Sequence, residues 1–218
     1  MATKQEPGTL GHTGVASRAR RAPVQKRSVA KVERILEAAQ QLAEEFPPAE
    51  ITTNLIAGRA KVSVGSLYGY FPDKAAVFTA VTTRYVEHFA ELLRKVFEDP
   101  APSDWAAASD AVIDAFTDYY RTEPGFRALW FGGYRSDEVA ELDRSNLIVL
   151  ADLWRSLLVQ HGLIQDDPAL DLPFEISWEL GDRLLDLAFR RDPNGDERVI
   201  AEAKVILRYY EARYLGKR

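Results

Sequence analysis

Residues Thr52 to Phe78 read TTNLIAGRAKVSVGSLYGYFPDKAAVF, and the rest of the chain is best understood outward from them. Thr53 is placed to cap a short helix over about 54–60, with Leu55, Ile56 and Ala60 turned inward. After a break at Lys61-Val62, Ser63 is placed to cap a second short helix over about 64–70, whose inner face is Leu67 and Phe71. Pro72 closes the unit because it lacks an amide donor and restricts its predecessor. Asp73 then caps a long helix from about 74 to 98, striped by Phe78, Val81, Tyr85, Phe89, Leu92, Leu93 and Val96. Two short helices joined by a tight turn form a helix-turn-helix. A second helix bearing small and hydroxylated residues fits the DNA major groove, about 12 Å wide. Val64, Gly65 and Ser66 then lie toward base edges, Ser63 is a cap first and a candidate DNA contact second, and Tyr68 and Tyr70 can reach phosphates. Lys74 adds charge at a positive helix end.

Upstream, Ser28 is a plausible cap for a helix striped by Val29, Val32, Leu36, Ala39, Leu42, Ala43 and Phe46 and ended by Pro47-Pro48. Residues 1–27 show no apolar period and read as a flexible basic arm with Arg18, Arg20, Arg21, Lys26 and Arg27. Arg20 and Arg21 are its DNA candidates. The net charge of −5 hides a division, with +4 over residues 1–74 and −9 over residues 75–218. A phosphate-facing module ahead of an acidic body fits that asymmetry.

Downstream of Pro100-Ala101-Pro102, helices are expected near 103–121, 124–132, 136–161, 168–190 and 196–215, broken at Glu123-Pro124-Gly125, Gly132-Gly133, His161-Gly162 and Asp192-Pro193-Asn194-Gly195. No sustained alternation of period two marks a strand. The expected fold is all-α with about nine helices: an N-terminal three-helix DNA-binding domain at 28–74, then a larger ligand-binding and dimerisation domain at 75–218.

The segment resembles the DNA-binding domain of the tetracycline-repressor (TetR/AcrR) family. Thr52-Thr53, Ile56-Ala57, Val62-Ser63, Leu67-Tyr68, Tyr70-Phe71 and Asp73-Lys74 stand at the family's motif positions, over about residues 28–80. The resemblance implies ligand-responsive repression by a homodimer on palindromic operator DNA. It makes Thr53 and Asn54 phosphate or base contacts, and Val64, Gly65, Ser66 and Gly69 recognition-helix positions. Tyr68, Tyr70 and Lys74 become phosphate anchors. Two residues depart from the pattern. Lys61 stands where the family usually has a turn glycine, at a position that commonly needs positive φ. Gly69 fills a slot that more often holds a large residue.

The body is rich in aromatics. Trp130, Phe131, Tyr134, Trp154, Phe174 and Trp178, with Tyr119, Asn146 or Asp182 as polar orienting groups, are candidate walls of an apolar ligand cavity, although such stripes more often serve as core. Residues 168–215 are apolar on more than one face. Phe174, Trp178, Gly181 and Leu185 form one stripe, with Leu180, Leu184 and Leu187 beside it. In the last helix Val199, Ala203, Ile206 and Tyr210 form one face, flanked by Ile200 and Leu207. Helices covered that far round suit a partner subunit as well as a core. Leu180, Leu184, Leu187, Ile200 and Leu207 are the dimer candidates.

Other classes find no support. There is no cysteine for disulfides or thiolate metal sites, and His12, His88 and His161 show no ligand spacing. No nucleophile elbow, phosphate loop or zinc-protease motif occurs, so no enzyme and no cofactor is expected. The N-terminus has no secretory core and no run approaches the roughly 18 apolar residues of a membrane helix, so the expected location is cytoplasmic.

Overall fold

The computed structural model describes residues 26–98, 100–131 and 137–216, and the side chains of residues 28–98, 100–129 and 146–216. Among them are nine α-helices and no strand: α1 Lys26–Glu45, α2 Thr53–Arg59, α3 Val64–Tyr70, α4 Lys74–Lys95, α5 Trp105–Thr122, α6 Pro124–Phe131, α7 Asp137–Gln160, α8 Asp171–Arg191 and α9 Glu197–Leu215. A 3-10 turn at Pro168–Leu170 leads into α8.

Threonine, serine and aspartate at helix starts do their usual work of satisfying orphan amides. Ser63 Oγ accepts from Ser66 N at 3.1 Å, and Asp73 Oδ1 accepts from Ala76 N at 2.8 Å. Asp104 and Asp196 cap α5 and α9 in the same way. Four expectations are corrected at this level. α1 begins at Lys26, so Ser28 lies inside its first turn; Lys26 and Arg27 are good helix formers and carry the helix past the weaker cap signal. The cap of α2 is Thr52, not Thr53: Thr52 is extended at φ −118° and accepts from Leu55 N at 3.2 Å. Leu55 points outward, because Ile56, Ala57 and Ala60 form the buried face of so short a helix. Val29 and Phe46, at the two ends of α1, are exposed as well.

α1 packs on α2, α4 and α6, while α2 packs on α3. Arg59 closes this unit with a two-pronged bond to Glu45, at 2.8 and 2.7 Å, tying the end of α2 to the end of α1. Ile35, Ala39, Leu42, Ile51, Ile56, Leu67 and Val77 fill the space between. In the body, α8 pairs with α9, α7 lies against α4 and α8, and α5 lies against α9. Phe89, on α4, and Phe126, on α6, are at the centre of an aromatic cluster with Tyr85, Phe116, Tyr119 and Tyr120. Gly125 is where α6 meets α1: a Cβ there would stand 2.6 Å from the Gln40 carbonyl oxygen.

Candidate nucleic-acid interface and ligand cavity

The turn between α2 and α3 is made by Lys61 at φ 54°, the left-handed conformation expected of this position and uncommon for a residue with a side chain. It returns the chain so that Val62 N can donate to Ala57 O at 3.0 Å and Ser63 can start the next helix. α3 then buries Leu67, and Phe71 just beyond it, while Ser63, Val64, Gly65, Tyr68 and Gly69 stay exposed and Ser66 is half-buried. Cβ atoms added at Gly65 or Gly69 would meet nothing within 4 Å. Neither glycine is therefore required by packing inside the chain. Tyr68 Oη lies 3.2 Å from Thr53 Oγ1, so the starts of α2 and α3 present their hydroxyls on one surface, with exposed Asn54 beside them.

Two of the phosphate candidates sit differently from the expectation of free surface groups. Tyr70 is half-buried and packs on the core. Lys74 Nζ donates to the carbonyls of Pro48 and Ala49, at 3.0 and 3.2 Å, and lies 5.8 Å from the centre of the Phe78 ring. Partial burial lowers the pKa of this ammonium. Two of its three protons hold the loop that follows α1, which the linear sequence did not reveal because the acceptors lie about 25 residues away. Arg20 and Arg21 lie outside the described residues.

A second site lies between α4, α5, α7, α8 and α9, a cavity of about 50 Å³. Its apolar wall includes Phe89, Phe116, Trp154, Phe174 and Trp178. Three of the sequence candidates, Trp154, Phe174 and Trp178, therefore face one space, as does Asp182. Tyr119 does not. It is packed edge-on to Phe89 at 5.2 Å and stacked on His88 at 4.6 Å, and burial raises its phenol pKa. Asn146 is likewise absent from the wall. Tyr134 and the side chains of Trp130 and Phe131 lie outside the described residues.

The sequence reading missed Ser109, Tyr120, Ser177 and Glu211, which line the same cavity. Ser177 Oγ donates to Glu211 Oε1 at 2.5 Å, and Ser109 is a second hydrogen-bond partner of that carboxyl. Burial pushes the Glu211 carboxyl pKa up, against the opposing pull of the two serines. Burial likewise pushes the Tyr120 phenol far above its ordinary range, with the charge of Asp182 adding to the rise. A signal for Glu211 did exist. It continues the period Ile200, Ala203, Leu207, Glu211, and an ionisable residue on a buried helical stripe marks a polar spot in a core.

That stripe also corrects the assignment of faces on α9. Ile200 and Leu207 are 4% and 3% exposed and pack inward, so they are core residues and not dimer contacts. Val205, Ile206 and Tyr209 point outward, at 51%, 40% and 79% exposure. Both faces are apolar, and the periodicity alone could not say which one meets α5 and α8. On α8 the expectation fares differently: Leu187 is exposed and Leu180 and Leu184 are half-buried, on the side away from Phe174 and Leu185.

A capped helix-turn-helix with an open second helix, set ahead of a helical body, defines a class of DNA-binding regulator. The chain matches the family described as bacterial regulatory proteins, tetR family, over residues 35–81, and the tetracyclin repressor-like C-terminal domain over residues 103–214. It belongs to the tetracycline-repressor family of transcriptional regulators.

Among its relatives is the HTH-type transcriptional regulator EthR of Mycobacterium tuberculosis, 27% identical over 125 residues, which make up 57% of this chain and 53% of the relative. The match thus spans about half the length of the curated relatives. A TetR-family regulator from Streptomyces coelicolor superposes with a TM-score of 0.72 at 32% identity, covering 87% of this chain and 99% of that one. FadR from Bacillus subtilis, solved in complex with stearoyl-CoA, shares the fold with a TM-score of 0.63 at 15% identity, over 82% of this chain and 96% of that one. Among the described residues no helix is long and apolar enough to cross a membrane.

Proposed function

We propose that this protein is a homodimeric repressor that a small apolar or aromatic ligand releases from a palindromic operator. Residues 1–27 act as a basic arm with Arg20 and Arg21 on DNA, residues 28–74 as the DNA-binding domain, and residues 75–218 as the ligand and dimer domain. The observation that carries the reading is the pairing of two features in one chain. α3 leaves Val64, Gly65, Ser66 and Gly69 open to a groove, and the body behind it holds a cavity walled by Trp154, Phe174 and Trp178. Val64 can meet a thymine methyl, Ser66 and Asn54 can read base edges, and Thr53, Ser63, Tyr68 and Tyr70 can position the helix on phosphates. Lys74 supports these contacts by holding the loop at Pro48 and Ala49.

Two-fold symmetry follows from the need to place two recognition helices about 34–36 Å apart, one turn of DNA. Leu180, Leu184 and Leu187, on α8, together with Val205, Ile206 and Tyr209, on α9, are apolar side chains left partly or wholly uncovered within the subunit, and we assign them to the second subunit. That relatives of this fold include a protein solved with stearoyl-CoA and one solved with triclosan supports a ligand in the body. A ligand that favours the released geometry must bind the DNA-free dimer more tightly than the DNA complex.

The test is a gel shift with DNA from upstream of the protein's own coding region, run alongside sedimentation of the free protein. A retarded band, a dimer mass and loss of the band on adding a cavity ligand are the expected results. A monomer at micromolar concentration, or a band that no cavity-binding compound weakens, overturns the corresponding part.

A further inference from the structure

Three helices each put one polar side chain into the same spot of a mostly apolar wall. Ser109 on α5, Ser177 on α8 and Glu211 on α9 line the cavity at 6%, 7% and 7% exposure and are bonded to one another. Ser177 Oγ donates to Glu211 Oε1, and Ser109 is hydrogen-bonded to the same carboxyl. Burial favours the neutral acid over the carboxylate at this position. Asp182 and Tyr120, also on the wall, have interactions of their own. The two serine hydroxyls and the neutral carboxyl carry three polar hydrogens between them. Among the described residues these groups make two hydrogen bonds, each between a serine and the carboxyl, so one hydrogen is left over however the hydroxyls turn. A buried donor without an acceptor is destabilising, and a ligand that supplies the acceptor removes that cost.

We infer that the cavity binds a compact, uncharged ligand whose aromatic or apolar body lies against Phe116, Trp154, Phe174 and Trp178 and whose carbonyl oxygen accepts a hydrogen bond from the Ser109–Ser177–Glu211 cluster. This rests on the ligand-cavity reading above and names the chemistry of its occupant. A carboxylate or phosphate also accepts hydrogen bonds, but it carries a charge into an apolar space. A protonated amine brings only donors, to a cluster that already has one too many. A hydrocarbon fills the space and leaves the spare hydrogen unpaired. At about 50 Å³ the space is smaller than one that holds a benzene ring, so a compact ligand displaces the walls a little and a polycyclic one a great deal.

The test uses the full chain and four compounds of equal size: acetophenone, cumene, benzoate and 1-phenylethylamine. Binding is followed through the indole signals of Trp154 and Trp178 in NMR spectra of the labelled protein, and DNA release by gel shift. Acetophenone is expected to bind about 10-fold or more tightly than benzoate or the amine. Removing the whole cluster, by Ser109→Ala, Ser177→Ala and Glu211→Met together, should lower the acetophenone-to-cumene affinity ratio by roughly 10-fold, because the ketone oxygen then enters without a donor. Glu211→Gln, which supplies an uncharged amide donor in place of the acid, should rescue most of that ratio. Each variant is checked for a cooperative melt, and the order of the four compounds on the unaltered chain keeps the test intact if a variant fails to fold. Tightest binding by benzoate or the amine, an unchanged ratio in the triple variant, or no rescue by Glu211→Gln overturns the carbonyl assignment and leaves the ligand-cavity reading standing. Failure of all four compounds to bind overturns the ligand-cavity reading and this inference with it.

Discussion

In α2 and α3 the side chains assigned to DNA stand mostly in open solvent, whereas most of those that shape the cavity of the body are nearly inaccessible. The first region is built by local rules. A threonine caps α2, a serine caps α3, a left-handed Lys61 turns the chain, and an aspartate starts α4, all within about 25 residues. The second is built by packing between helices distant in sequence: Phe89, Phe116, Trp154, Phe174 and Leu207 meet only in the fold. A surface made locally can change its outward residues without disturbing its scaffold. A cavity made by packing cannot, since most of its wall residues are also core.

That contrast predicts the largest effect where the aromatic cluster links α6 to the cavity wall. Phe126→Ala should cost about 3–5 kcal/mol of stability, read from denaturant unfolding, because Phe126 is fully buried against Tyr85, Phe89 and Tyr120. A cost near that of a surface change would show that the cluster is loosely packed. In the reading head the opposite split is expected. Gly65→Leu should leave the melting temperature within about a degree or two but weaken operator binding by roughly 10- to 100-fold, since nothing in the chain occupies that space and a groove would. Unchanged affinity would move the reading surface away from the start of α3.

A smaller effect tests the turn itself. Lys61→Gly should stabilise the protein by about 1 kcal/mol, the strain relieved at φ 54° exceeding the added freedom of the unfolded chain. Loss of stability would mean that the lysine side chain contributes a contact that outweighs its backbone strain. The smallest effect concerns Glu211. Its folded pKa is raised above the ordinary value of 4.5, so its proton is held more tightly in the folded state. That contribution is fully present below the ordinary carboxyl range and is lost as pH rises through the raised folded value. The melting temperature of the wild type relative to Glu211→Gln should therefore fall as pH rises above the ordinary carboxyl range. A difference that is flat, or that rises with pH, would show that hydrogen bonds from Ser109 and Ser177 outweigh the burial.

The sequence by itself determined the helix-turn-helix, the all-helical architecture and the family. Caps, prolines, a short apolar period and the residues from Thr52 to Lys74 all act over a few positions, and near neighbours in the chain carry their physics. It also marked Trp154, Phe174, Trp178 and Asp182 as residues with something to face, though not what. Only the tertiary structure decided which apolar face of α9 turns inward, because Ile200, Ala203 and Leu207 and the outward Val205, Ile206 and Tyr209 both recur at helical spacing and differ in what packs on them. It likewise tied Lys74 to Pro48 and Ala49, and took Tyr119 out of the cavity into the cluster around Phe89. The carboxyl of Glu211 was brought beside Ser109 and Ser177 in the same way, by helix packing across about 100 and 34 residues of chain. Burial depends on partners far away in sequence, and a helical stripe carries no mark of which partner it will meet.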